Sequence, residues 1–243
     1  MTVMGTPRDW AGVIDDQAPK ILKLVKAAWK RVPVGPPDER EDDITNRFIV
    51  VLQRSRRARK MMFYIHPQVI ELDPDTGDEY GRMDIGFFPS NQPWVPREDI
   101  YFCIECKRLN VIKNGKPRGY ASEYVTLGMA RFVTGQYSRA VQHGCMVGYV
   151  RDGDVKGAMG SVEQNIQQHH KTLGMEAPGA FLRSRVFPRT ESARETHHRR
   201  TQQAAAFLLH HLFMEGDPNA EISVESAILK QRQEQRQGRR PTE

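Results

Sequence analysis

Residues 101–109 read YFCIECKRL, and two readings of this stretch lead to different proteins. In one, Cys103 and Cys106 form a C-x-x-C pair that holds a metal or a disulfide; in the other, Glu105 and Lys107 form an acid-x-lysine pair suited to phosphate chemistry. The stretch has the apolar content of a β-strand and no Gly, Pro or Asn to turn it. In a strand, side chains alternate faces, so the two cysteines point to opposite sides. A thiol pair has to converge, usually in a turn or at a helix start. Partners for a zinc ion are lacking too, since the other cysteine is Cys145 and the histidines come mostly as adjacent pairs such as His197 and His198, whose side chains diverge. The cysteines therefore read as buried, inert thiols. The same alternation places Cys103, Glu105 and Lys107 on one face and Phe102, Ile104 and Cys106 on the other.

Working upstream, RMDIGFF at 82–88 alternates Met83, Ile85 and Phe87 with Arg82, Asp84 and Gly86. An acid again stands on a polar face opposite an apolar one. If the two strands pair, Asp84 sits beside Glu105. Two carboxylates held together raise each other's pKa unless a cation joins them, and hard oxygen donors suit magnesium or manganese. Gly86 leaves room for a substrate or marks a bulge. A second acid-x-lysine match, Asp154 and Lys156, falls in RDGDVKG, a glycine-flanked turn without an apolar strand to hold it rigid.

Further out, the spacing of Trp10, Val13, Ile14, Ile21, Leu22, Val25 and Trp29 predicts a helix or helix pair over 9–30, closed by the Pro-rich segment 33–37. A second helix starts among the acids DEREDD at 38–43 and carries Ile44, Phe48, Val51, Leu52 and Ser55 on one face. Glu41 lies three and seven residues before Ile44 and Phe48, so it projects toward the sheet; it also suits the positive end of the helix. Asp42 and Asp43 read as capping residues. Strands are expected over 61–73, 82–88, 100–109, 143–152 and 181–187, helices over 122–140 and 155–173, and a polar glycine loop over 110–122. AAAFLLHHLFM at 204–214 fits a buried helix or a buried strand equally. The expected organisation is an N-terminal helical extension over 1–36, a main domain over 37–228, and a basic, flexible tail over 229–243.

The chain has 243 residues, a net charge of +6 and a pI near 9.3, which suits a polyanionic partner. No apolar run approaches the roughly 18 residues of a membrane span, and acids occupy the N-terminal stretch where a signal peptide is apolar. Three cysteines suit a reducing compartment. The expectation is a cytoplasmic protein without a membrane partner.

Taken together, a helix bearing an acid, a strand with Asp84, an apolar strand ending in Glu105-x-Lys107, then a helix and a further strand over about 38–150 resemble the PD-(D/E)XK nuclease superfamily. Met83 stands where the family often has proline, and the literal dipeptides Pro37-Asp38 and Pro74-Asp75 fall outside the strand positions. The resemblance implies an α/β (α+β), restriction-endonuclease-like fold, a mixed central β-sheet flanked by helices. It implies Mg2+ or Mn2+ held by Asp84, Glu105, the backbone carbonyl of Cys106 and Glu41, with Lys107 orienting the attacking water. The substrate it implies is DNA, with RNA left open, in a restriction or anti-phage setting, as a homodimer or with a partner protein. Arg57, Lys116, Arg118, Arg131 and Gln136 supply a candidate phosphate track. His66 reads as a hydrogen-bonded structural histidine. The competing reading is a catalytically inactive nucleic-acid-binding or assembly subunit of the same fold.

Overall fold

The computed structural model describes residues 7–36, 38–72, 75–90, 101–113, 116–137, 141–200 and 206–216. Its strands are β1 (Phe63–Leu72), β2 (Glu79–Pro89), β3 (Phe102–Leu109), β4 (Val111–Lys113), β5 (Lys116–Arg118), β6 (His143–Val150), β7 (Leu182–Arg183), β8 (Ala193–Arg199) and β9 (Ala206–Glu215). The helices are α1 (Pro7–Trp29), α2 (Glu41–Arg54), α3 (Ala121–Glu123), α4 (Ala130–Val133) and α5 (Val155–His169), with a π-helical turn, Tyr124–Met129, joining α3 to α4.

Seven strands form one mixed sheet in the order β1-β2-β3-β6-β9-β8-β7. β1, β2 and β3 are antiparallel neighbours, whereas β3, β6 and β9 run parallel. These parallel strands advance across the sheet in one direction, so right-handed crossovers carry both connecting helical segments to the same face. There Tyr124, Val125, Met129 and Phe132 of the first, with Ala158, Val162 and Ile166 of α5, bury Cys103, Leu109, Met146 and Leu209. The opposite face takes α1 and α2. Ile14, Ile21, Leu22 and Val25, then Ile44, Phe48 and Leu52, pack on Ile85, Phe87, Phe102, Ile104, Cys106 and Val147. α1 is one helix that contains Pro19 and shares this core. Met83, expected with Ile85 and Phe87, joins the other core instead.

Several boundaries differ from expectation for local reasons. The helix expected to reach residue 140 ends at Val133, because Gly135 takes a left-handed conformation (φ 77°) that terminates it. The loop after β3 contains the small hairpin β4–β5, whose Asn114-Gly115 tip lies outside the described residues. The strand expected over 181–187 shortens to β7, while ARETHHR, too polar to read as a strand, is β8 with Ala193, Glu195, Thr196 and His198 buried. AAAFLLHHLFM resolves as β9, an interior strand covered on both faces. The basic tail at 229–243 lies outside the described residues. Among the described residues, no helix is long and apolar enough to cross a membrane.

Candidate functional site

β2 and β3 pair only through Ile85 with Ile104, Gly86 with Cys103 and Phe87 with Phe102. Beyond that point β2 follows β1 to Glu79 and β3 follows β6 to Leu109, so the two strands fork. The fork leaves main-chain groups of Cys106 and Arg108 without a strand neighbour, and buried backbone polar groups need partners. Side chains supply them. Asp84 Oδ2 accepts from Cys106 N at 2.6 Å, Glu41 Oε2 accepts from Arg108 N at 2.8 Å, and Lys107 Nζ donates to Cys106 O at 2.9 Å. α2 presents Glu41 at its first residue, held there by Arg108 Nη1, which donates to Glu39 O at 2.6 Å.

Lys107 is the hub of the group. Its Nζ lies 3.0 Å from Glu41 Oε1 and 2.9 Å from Glu105 Oε1. Arg131 Nη1 approaches the same Glu105 oxygen at 2.8 Å and donates to Tyr137 Oη at 3.0 Å, and that hydroxyl donates to Arg82 O at 2.5 Å. Glu105 is fully buried, and its Oε2 has no partner among the described residues. Strand β1 adds strain on the outer side: Gln68, facing the Asp84 position, has φ 43°.

Charge is unevenly balanced here. Burial, then the neighbouring Glu105, push the Asp84 carboxyl up to about 8, against the pull of Lys107 and of the Cys106 N–H. Burial likewise raises Glu105, opposed by Lys107 and Arg131. For Lys107, burial favours loss of the proton, but Glu105, Asp84 and Glu41 outweigh it and hold the ammonium charged well above its usual range. Two of the three carboxyl groups, Glu41 and Glu105, thus pair directly with the two cations, while Asp84 holds its proton.

The donors suit a hard divalent ion that keeps water. Among the described residues, no three His, Cys, Asp or Glu side chains are grouped to cage a metal. The carboxylates of Asp84 and Glu105 and the carbonyl of Cys106 remain, with one buried carboxylate oxygen unpartnered. Magnesium is commonly held by one or two carboxylates with water completing its shell. The cysteines offer nothing comparable, since Cys103, Cys106 and Cys145 are free, buried thiols.

Asp84, Glu105, Lys107 and Glu41 are therefore brought together. Of the candidate phosphate contacts, Arg131 binds Glu105 directly, and Gln136 lies against Gly81 of β2, where a Cβ would overlap its amide. Arg118 lies beside the fork, its guanidinium 5.7 Å from the Tyr120 ring centroid, with Arg108 at 5.6 Å from the same ring. Lys116 belongs to β5, and its side chain lies outside the described residues. Arg57 does not join the group: it is exposed beyond the far end of α2, about 20 Å from Glu41 at 1.5 Å per helical residue. His66 is exposed on β1, edge-on to Tyr64 and Phe88. Sequence reasoning missed Arg108 and Tyr137. Arg108 directly follows the Glu-x-Lys motif and was open to notice; nothing in the sequence singles out Tyr137. Comparison with protein-family models, curated proteins and solved structures gives no match.

Proposed function

We propose that the protein is a metal-dependent nuclease of the PD-(D/E)XK type, with a restriction-endonuclease-like fold, that hydrolyses phosphodiester bonds of DNA. The observation that carries this reading is the meeting of Asp84, Glu105, Lys107 and Glu41 in the strand fork. Asp84, Glu105 and the Cys106 carbonyl would hold Mg2+ or Mn2+, which when bound polarises the phosphate and lowers the pKa of a water. Lys107 keeps its proton, so it acts as a donor that orients the attacking water and offsets charge on the phosphate rather than as a base. Glu41 fixes the Lys107 ammonium and the main chain at Arg108. Arg131 favours the ionised form of Glu105. Arg118 and Arg108, beside the fork, would meet the nucleic acid backbone.

The test incubates plasmid, linear duplex DNA and RNA with the protein in Mg2+ or Mn2+, beside Glu105→Gln and Lys107→Met. Cutting by wild type is expected to fall at least about 100-fold in each variant. Undiminished cutting by the variants overturns the assignment. DNA binding without cutting by wild type favours the inactive-subunit reading.

A further inference from the structure

A cavity of about 1130 Å³ opens at the C-terminal ends of β6 and β9, separate from the strand fork. In open sheets with parallel strands, this is the end at which ligands collect. Six basic side chains line it: Lys26, Lys30, Arg47, Arg151, Lys156 and Arg194. The acids on its wall are Glu191 and Glu215. Arg47 is paired with Glu39. Among the described residues, no carboxylate lies within ion-pair distance of the other five bases.

Arg151 sharpens the case. Its Nη2 donates to Gly35 O at 3.0 Å and Pro36 O at 2.6 Å, but its Nε is buried with no partner among the described residues. Burial also pulls Arg151 and Lys26 below their usual pKa range, with neighbouring bases adding to the effect. Six bases against two acids, or three once Glu39 is counted, leave an excess of three to four positive charges. The wall is not only basic. Trp29 and Val32 from the α1 layer and Met159 and Phe213 from the α5 layer add apolar patches, and a lone phosphate would fill little of the volume.

We propose that this cavity binds a nucleoside di- or triphosphate, with its phosphates on the basic side chains and its base against one of the apolar patches. Such a ligand carries about three to four negative charges, which matches the excess. The inference stands apart from the nuclease reading, because none of its six basic residues is among the proposed metal or catalytic residues.

Calorimetric titration of the full chain in EDTA tests it and keeps metal chemistry out of the measurement. The titrants are ATP, GTP, CTP and UTP, then ADP, adenosine, pyrophosphate and a 5′-phosphorylated oligodeoxynucleotide. At least one nucleotide is expected to bind more tightly than adenosine or pyrophosphate. Lys30 and Lys156 are exposed, so Lys30→Glu with Lys156→Glu should keep the thermal midpoint and weaken binding about tenfold or more, less so at high salt. If that double variant is unstable, Arg194→Gln serves with the same expectation. Absence of nucleotide binding, equal binding by the variants, pyrophosphate as tight as any nucleotide, or an oligonucleotide tighter than all of them would each overturn the proposal.

Discussion

Acid should destabilise this protein through His198, and the hydrogen bonds say why. Leu173 O can only accept, so His198 Nδ1 donates to it across 2.7 Å and His198 Nε2 must accept. The Thr196 hydroxyl donates to that nitrogen at 2.7 Å and so accepts from His211 Nε2 at 2.8 Å. His211 Nδ1 is then an acceptor, and Tyr124 Oη donates to it at 3.0 Å. Every group is satisfied only while both rings are neutral. Burial, the largest cause, holds His198 down to about 4 from 6.5, and it also pulls His211 well below its usual range. The unfolded chain takes up a proton below about 6.5 and the folded chain does not until about 4, so His198 contributes stability that is present above 6.5 and lost on acidification. At 1.4 kcal/mol per unit the loss is about 3 kcal/mol by pH 4, a large part of the roughly 5–15 kcal/mol that holds a domain folded. Asp84 and Asp15, raised to about 8 and about 6, act in the opposite sense, so the comparison needs a variant that removes His198 alone. His198→Asn keeps a donor for Leu173 O but strands the Thr196 hydroxyl, and should cost about 2–3 kcal/mol at pH 7.5. Urea unfolding of both proteins from pH 7.5 to 4.5, followed by circular dichroism, should show that gap narrowing by most of its value. A gap that does not change with pH refutes the argument.

Tyr137→Phe removes the hydroxyl that joins Arg131 to Arg82 O and should lower stability by about 1–2 kcal/mol in the same urea assay; an unchanged midpoint would mean that the bridge contributes nothing. Asp84→Asn should do the reverse in EDTA. The folded wild type holds the Asp84 proton up to about 8 against 3.8 unfolded, so wild-type stability declines as pH rises across that window, by at most about 4 kcal/mol at pH 7 and about 2 after allowance for its partly exposed surface. The variant escapes this decline, and parallel pH slopes for the two proteins would contradict it.

The parts of the fold that could be read from the sequence were those where one period dominates. Alternation located β2 and β3, and the i, i+4, i+8 spacing of Ile44, Phe48 and Leu52 oriented α2 well enough to send Glu41 toward the site. β8 escaped because its buried positions, Glu195 on one face and Thr196 and His198 on the other, are polar, and their burial stays hidden unless their hydrogen-bond partners on β9 and beyond are known. β9 stayed ambiguous because a strand covered on both faces has no alternation to detect. The early end of the helix after β5 depended on Gly135, which a single-sequence reading could have weighed as a cap. The fork had no such signal. Which strand pairs stop short is decided by sheet twist and by what fills the gap, and neither is written in either strand alone.

The fork also separates residues that the fold itself needs from one that it does not. Asp84 and Glu41 each accept a main-chain N–H that would otherwise be buried bare, so an inactive scaffold would have reason to keep both. Lys107 has a structural use as well, since it satisfies the Cys106 carbonyl. Glu105 has none. Its side chain supports no main-chain group; it is fully buried, one oxygen faces two cations and the other faces nothing. A buried ion pair of this kind is seldom worth more than a well-packed apolar pair, and Glu105 itself holds no main-chain group that a scaffold would need. The geometry at Glu105 is therefore where the enzyme and scaffold readings part, which is why Glu105→Gln, rather than a change at Asp84, is the informative variant. It removes the charge while leaving every main-chain contact in the fork in place, so loss of cutting in a protein of unchanged or higher stability traces to that carboxylate, through the ion it would hold or through the Lys107 and Arg131 it pairs with.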